Sequence, residues 1–197
     1  MKKQWMVVCA VAVIASGAAL AADVPAAPKP GPEHEKLGYF VGNWTMEGTM
    51  KDSPMGPGGK TTGKDKCDWF AGRFAVVCRS TGNGPMGQMK GLGILSYSAD
   101  AKAYTYYGTD SMGMTMLSVP KGKREGDTWT YDDESPMGGK MVKSRYIIKE
   151  LPPDKYRFTW EVQGEDGNWA VLMEGTNTRE GAGAKKSDRK DAKKDAS

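Results

Sequence analysis

The sequence has few of the residues that most enzymes use for catalysis. Its 197 residues include a single histidine, His34, which we expect to lie exposed beside an N-terminal linker. Catalysis by a serine or cysteine nucleophile needs a base next to that nucleophile, and a lone histidine offers no such arrangement. The carboxylates of Glu47, Asp110, Glu134 and Glu174 have no spacing that singles out an acid and base pair. The sequence therefore predicts no catalytic residues.

Long apolar runs are also missing once the first twenty or so residues are passed. Two lysines precede the apolar run 5–15, which is too short for a membrane span of about 20 residues. Ala19 and Ala21 then supply the small residues that signal peptidase recognises, which predicts cleavage after Ala21. We expect residues 1–21 to be a signal peptide and the mature chain to be periplasmic or secreted, without a membrane span.

The two ends of the mature chain differ in composition from its middle. Residues 22–32, rich in alanine and proline, are typical of an extended linker. Residues 180–197 hold six Lys or Arg, four Asp or Glu and no large apolar side chain, which predicts a disordered basic tail. This leaves residues 33–179 as one domain. The chain has a net charge of +4, of which the two lysines of the signal peptide contribute +2 and the tail contributes another +2, so the domain itself is neutral. A neutral domain has no basic surface for phosphates, so we expect no nucleic-acid partner.

Two of the three cysteines, Cys67 and Cys78, remain after Cys9 leaves with the signal peptide. In an oxidising compartment a disulfide is the expected state of such a pair. If Gly72 and Arg73 form a two-residue hairpin turn, the numbers of paired residues sum to 145, as 67 and 78 do. The two thiols would then face each other, with free thiols or a pair of metal ligands as the alternatives.

The domain shows strand patterns and almost no helical pattern. Residues 156–162 alternate Tyr, Phe, Trp and Val with polar residues, which is the period of a strand with one buried face. Residues 33–41 follow two prolines and predict one short helix or turn. Clusters of glycine, proline, asparagine and aspartate separate the strand patterns. The expected strands are 43–51, 60–70, 74–81, 89–98, 102–109, 112–119, 127–132, 140–150, 155–163 and 168–178.

Ten short strands with no helix between them predict antiparallel pairing. A flat sheet of that size would leave long open edges, whereas closure removes them. We therefore predict an all-β fold, an antiparallel barrel of about ten strands with one short N-terminal helix, in preference to a sandwich.

Several short motifs resemble an exported protein family. The segment 37–44, LGYFVGNW, resembles the opening of the family catalogued as domain of unknown function 1579. The segment 69–74, WFAGRF, resembles the Gly-Arg-Phe hairpin of that family. Residues 91–93 with Tyr97, and the closing Glu-Gly-Thr at 174–176, fit the same family. The family has no established activity, so the resemblance bears on the fold more than on the function.

The Gly42-x-Trp44 step also resembles the first strand of lipocalins and related calycins. In those proteins the tryptophan plugs one end of the barrel, and the barrel commonly encloses a small apolar ligand. Some related ten-stranded barrels bind haem through a histidine late in the chain. This sequence has no histidine after His34, so the resemblance does not extend to that haem site.

Methionine is frequent, with thirteen residues in the chain, and some positions predict a ligand cavity. Met112, Met114 and Met116 alternate along an expected strand, so their side chains would share one face. Met46 shares the Trp44 face of the first strand. Flexible thioether side chains suit a cavity that adapts to varied apolar ligands. The predicted lining residues are Trp44, Met46, Tyr106, Met112, Met114, Met116 and Trp160.

Two other interpretations of the methionines stay open. Thioethers select Cu(I), so Met112, Met114 and Met116 are also the candidate ligands of a periplasmic copper site. The methionines are equally suited to fill the core of a structural or interaction protein. The prediction is an exported, non-catalytic barrel that binds a small apolar molecule without a cofactor, with copper binding and a filled core as the alternatives.

Overall fold

The computed structural model describes residues 27–54, 56–116, 118–137 and 139–181. The predicted signal peptide, residues 22–26 of the predicted linker and most of the predicted tail lie outside these residues. In this part of the chain, no helix has the length and apolar character needed to cross a membrane.

The described residues form ten strands that close into one antiparallel barrel. Each strand pairs with the next along the chain, and the last pairs with the first. The predicted closed antiparallel barrel of ten strands with one short N-terminal helix is confirmed. The elements are helix α1 Pro32–Lys36, a 3-10 turn Leu37–Phe40, β1 Gly42–Met50, β2 Gly59–Trp69, β3 Ala75–Gly84, β4 Gly87–Ser98, β5 Ala103–Asp110, β6 Lys121–Glu125, β7 Thr128–Met137, β8 Lys140–Leu151, β9 Lys155–Gln163 and β10 Trp169–Arg179.

The N-terminal helix and its 3-10 turn cover one end of the barrel. Trp44 is fully buried there, and its indole Nε1 donates a hydrogen bond of 2.8 Å to the carbonyl of Phe40. The ring of Phe40 lies 5.1 Å from the ring of Trp129, centroid to centroid. The guanidinium of Arg179 lies 4.1 Å above the Trp44 ring and donates to the carbonyl of Tyr39 at 2.9 Å. These contacts close this end with packed aromatic side chains and satisfied polar groups.

The β2–β3 hairpin carries the predicted disulfide, Cys67–Cys78. The two cysteines are direct cross-strand partners, and every pair in the hairpin sums to 145. Gly72 and Arg73 lie at the centre of the turn with φ values of 81° and 61°. The strands end at Trp69 and restart at Ala75, so the connection is longer than the predicted two-residue turn. The register and the disulfide are confirmed.

The predicted sixth strand, 112–119, is wrong, because β6 begins only at Lys121. The side-chain Oδ1 of Asp110 accepts hydrogen bonds from the backbone N–H groups of Met112 at 2.8 Å and Met114 at 3.1 Å. Gly113 has a φ of 88° at the same place. An aspartate that bonds the backbone just beyond itself, together with a glycine at positive φ, makes a turn rather than a strand.

After this turn, the loop between β5 and β6 (residues 111–120) runs back along β5. Thr109 forms an isolated antiparallel bridge with Thr115, and the N–H of Met116 donates to the carbonyl of Gly108 at 3.1 Å. Strand β6 pairs with only two residues of β5, Tyr104 and Thr105. The second half of β5 is therefore paired by the β5–β6 loop in place of β6.

Candidate functional site

The barrel encloses a cavity of about 620 Å³ that extends towards the end opposite the helix. Strands β3 to β5 and β7 to β9 contribute lining residues, and the β5–β6 loop adds more. Most of the lining side chains are aromatic, aliphatic or thioether groups. Ligand pockets in proteins commonly have volumes of about 300–1,000 Å³ and a mainly apolar lining. The deeper part is lined by Leu95, Tyr106, Tyr131, Tyr146, Ile148 and Trp160.

Four of the seven predicted lining residues border this cavity. Tyr106 and Trp160 belong to β5 and β9, and Met114 and Met116 belong to the β5–β6 loop. The two methionines lie on one side of the segment that runs back along β5, although this segment is not the predicted strand. Their contact with a ligand stays a prediction.

The other three predicted lining residues lie outside the cavity lining. Trp44 is fully buried at the closed end, beneath the helix. Met46 faces inward and packs against the core, with its Sδ accepting a hydrogen bond of 3.9 Å from Thr61. Met112 lies in the turn that Asp110 stabilises, and 44% of its surface is exposed. Alternation along a strand predicts which face a side chain occupies, but the depth in the barrel decides what it contacts.

Methionines border the cavity near the end opposite the helix. Met89 of β4 and Met137 of β7 join Met114 and Met116 in the lining, whereas Met112 does not. Within the described residues, no three or more His, Cys, Asp or Glu side chains are grouped so that they could hold a metal ion. The predicted copper ligands are thus only partly brought together, and copper binding stays a prediction.

The side chain of Tyr106 lies across a pair of glycines in the barrel wall. Gly93 and Gly108 are direct cross-strand partners in β4 and β5. A Cβ atom at either glycine would lie 3.0 Å from the Tyr106 hydroxyl oxygen, which is closer than ordinary packing allows. Tyr106 keeps 36% of its surface accessible although it faces inward, because it borders the cavity. The two glycines therefore set the position of a lining side chain.

Two further tyrosines from neighbouring strands line the cavity beside Tyr106. Tyr131 is only 4% exposed, and its hydroxyl has no hydrogen-bond partner within the described part of the chain. The ring of Tyr146 stacks on Phe158 with the centroids 5.6 Å apart. Burial raises the pKa of Tyr106, Tyr131 and Tyr146 above the ordinary phenol value of 10.0. All three therefore stay neutral near pH 7, where each hydroxyl can donate one hydrogen bond and accept others.

Asp65 of β2 points into the barrel next to this cavity. Its Oδ2 accepts a hydrogen bond of 3.2 Å from Nδ2 of Asn177, and its carboxylate is also hydrogen-bonded to Ser80, its cross-strand partner and a lining residue. The Asn177 amide contacts the Tyr156 hydroxyl as well. Burial raises the pKa of Asp65 above its ordinary value of 3.8, although the hydrogen bonds from Ser80 and Asn177 oppose that shift. No Lys or Arg among the described residues forms an ion pair with it.

The charged side chains in the cavity lining have one sign. Asp110 and Asp133 belong to the lining, and the described lining residues include no Lys, Arg or His. Asp133 accepts a hydrogen bond from Ser118, and Asp110 holds the turn of the β5–β6 loop. The cavity is therefore apolar over most of its surface and acidic where it is charged.

Asp65, Ser80 and Tyr131 are candidate site residues that the strand patterns alone did not single out. Asp65 lies two residues before Cys67, and alternation along β2 puts both on the inner face. The predicted disulfide therefore carried a usable signal for an inward carboxylate. Tyr131 follows Trp129 on the same face of β7 in the same way.

The expectation that His34 is exposed is wrong. The histidine is only 9% exposed, and its ring packs edge to face against Phe74 with the centroids 5.0 Å apart. Its Nδ1 accepts a hydrogen bond of 3.2 Å from the N–H of Gly31. His34 thus belongs to the covered end of the barrel and not to the cavity.

Two solved structures have a similar fold. Rv2717c from M. tuberculosis is 11% identical with a TM-score of 0.55, and the match covers 76% of this chain and 98% of that chain. The S-type phycobiliprotein lyase CPES from Guillardia theta is 12% identical with a TM-score of 0.53, and the match covers 76% of this chain and 93% of that chain. At such identities the likeness concerns the fold alone.

No curated protein sequence matches this chain. A family model does match, however, over residues 29–179, which is most of the chain and the whole barrel. The chain belongs to the family described as protein of unknown function, DUF1579.

Proposed function

We propose that this barrel binds a small, largely apolar molecule in its cavity without catalysing a reaction. The observation that carries this proposal is the cavity of about 620 Å³ inside a closed barrel. A barrel of this kind holds a ligand when its inner side chains leave volume unfilled. The packed aromatic cluster under the helix closes one end, so a ligand would enter from the other end.

The lining chemistry supports a ligand whose shape is not narrowly defined. Met89, Met114, Met116 and Met137 provide flexible, polarizable groups towards the open end. The tyrosine rings provide rigid apolar walls, and their hydroxyl groups could orient the ligand. Binding pockets commonly combine an apolar lining with a few polar groups in this way.

A neutral apolar probe tests the proposal directly. We expect N-phenyl-1-naphthylamine to bind the purified mature chain and to fluoresce more strongly when bound. Ser144 lines the cavity and is 7% exposed, so Ser144→Phe places a ring in the space that the probe would occupy. Binding should weaken by about tenfold or more, since steric filling removes the apolar contacts.

The matched control is Lys143→Phe, which puts the same ring on the exposed outer face of the same strand, β8. Far-UV circular dichroism would check that both variants stay folded. Absence of probe binding to the wild type, or equal affinities of the two variants, would contradict the proposal. If Cu(I) bound in place of the apolar probe, and if replacing Met112, Met114 and Met116 by Leu abolished Cu(I) binding, the copper alternative would replace the apolar ligand. If neither the apolar probe nor Cu(I) bound, the filled-core alternative would stand.

Export of the chain is a further part of the proposal. The Cys67–Cys78 disulfide supports it, because structural disulfides persist mainly outside the reducing cytosol. The N-terminal pattern that predicts a signal peptide points the same way but lies outside the described residues. Protein isolated from the periplasm or medium of its own cells should begin at Ala22, and a purely cytosolic chain with an intact N-terminus would contradict export.

A further inference from the structure

We infer that the ligand is a cationic amphiphile, such as a protonated amine, whose head pairs with Asp65 while its apolar body occupies the cavity. This inference rests on the proposed binding function and names the chemical class of the ligand. It follows from the charges and the unpaired polar group that the barrel places around an otherwise apolar space.

The first step is the carboxylate itself. Asp65 faces the barrel interior and is held by the Asn177 amide at 3.2 Å and by Ser80, which lines the cavity. Buried charges in proteins are normally paired or bound to a cation. None of the ion pairs among the described residues involves Asp65, so its hydrogen bonds orient the carboxylate without neutralising it.

The second step is the charge of the lining. Asp110 and Asp133 add two more carboxylates, and no basic side chain stands among the described residues of the lining. A cavity with low-dielectric walls and charges of one sign focuses its electric field on a bound molecule. This field favours a cation in the cavity and disfavours a carboxylate or phosphate.

The third step is an independent polar group that faces the same space. Tyr131 lines the cavity, is 4% exposed and has no hydrogen-bond partner for its hydroxyl within the described residues. A buried hydroxyl without a partner is unfavourable, so a polar group on the ligand would satisfy it.

Tyr106 connects the two polar features. Its ring centroid lies 6.5 Å from that of Tyr131, and the negative charge of Asp65 helps to raise its pKa. Ser80, the cross-strand partner of Asp65, lines the cavity together with Tyr106 and Tyr131, so a polar head beside Ser80 would meet Asp65 and the tyrosine hydroxyls in one region. The apolar part would extend towards Met114 and Met137.

Three probes that share a decyl chain but differ in the charge of the head group distinguish the effect of charge on affinity from the effect of apolar burial. Decylammonium, decan-1-ol and decanoate would be titrated calorimetrically at pH 7 into the mature chain, below the concentrations at which they aggregate. We expect the ammonium to bind about tenfold or more tightly than the carboxylate, with the alcohol in between, because the pocket charge acts oppositely on the two ions. Asp65→Asn should weaken ammonium binding by about tenfold and leave the alcohol affinity unchanged, so that only the smaller preference due to Asp110 and Asp133 remains.

The matched control is Asp68→Asn on the same strand, β2, where the carboxylate is exposed on the outer face. This variant should keep the preference of the wild type. Equal binding of the ammonium and the carboxylate to the wild type, or a preference for the ammonium as large in Asp65→Asn as in the wild type, would overturn the inference while binding of the alcohol still supported the cavity. Failure of all three probes to bind would overturn the inference together with the proposed function.

Discussion

The buried environment of Asp65 disfavours the ionised form of its carboxyl group. It lies on the inner face of β2, hydrogen-bonded by Asn177 and Ser80, and burial raises its pKa above 3.8. A carboxylate with a raised pKa in the folded state binds its proton more tightly there than in the unfolded chain. Its contribution to stability is therefore most favourable below the ordinary pKa and declines as the pH rises through the raised value. Keeping an ionised Asp65 inside the barrel at neutral pH thus lowers the stability of the fold.

Replacing this carboxylate should change how stability depends on pH. Asp65→Asn keeps an acceptor for the Asn177 amide but cannot ionise, so it escapes the penalty. Between pH 4 and pH 7, the free energy of unfolding of the wild type should fall relative to that of Asp65→Asn, as measured by urea denaturation at each pH. Asp68→Asn should follow the wild type, and parallel curves for the wild type and Asp65→Asn would refute the prediction.

At the scale of elements, the β2–β3 hairpin and the β5–β6 loop show opposite outcomes. The hairpin register was predictable because a turn centred on Gly72 and Arg73 determines every cross-strand pair up to the cysteines. The β5–β6 loop was not predictable, because large methionines alternate with small residues from Met112 to Met116, and such a period of two is typical of a strand. The Asp110 side chain, with Gly at the third position after it, turns the chain first.

The disulfide of the hairpin should stabilise the barrel by restricting the unfolded chain. It joins two cysteines separated by 11 residues in sequence. Cys67→Ala with Cys78→Ala should lower the free energy of unfolding by about 2–3 kcal/mol, as measured by urea denaturation. Reduction of the wild type should have a similar effect, and the reductant should not change the double variant. A double variant as stable as the oxidised wild type would contradict this account.

At the scale of the whole molecule, one end of the barrel is packed and the cavity lies towards the other. The buried cluster gathers side chains from the 3-10 turn and from several strands, including Leu37, Phe40, Trp44 and Trp129. Because every strand pairs with two neighbours, the barrel is closed, and this end ties the N-terminal segment to the sheet. The packed core and the cavity thus lie at different depths along the barrel axis.

Truncation of a side chain at the packed end should affect stability far more than truncation of the same residue type on the surface. Phe40 is 3% exposed and packs against Trp129 and Tyr156. Phe40→Ala should lower the free energy of unfolding by about 3–5 kcal/mol, measured by chemical denaturation. Phe70, which is 61% exposed, provides the control, and Phe70→Ala should change it by no more than about 0.5 kcal/mol. Similar losses in both variants would argue against a helix-covered core.

Sequence patterns were sufficient to predict nine of the ten strands, the antiparallel closed barrel, the N-terminal helix and the disulfide. Each of these depends on local periodicity, turn residues or pairing register, which adjacent residues specify. Which of the inward side chains border the cavity could be learned only from the folded barrel. Trp44 and Tyr106 both face inward, yet one is packed under the helix and the other borders the open volume. A period of two specifies the face of a strand, whereas the depth along the barrel axis depends on strand stagger and on the helix that covers one end.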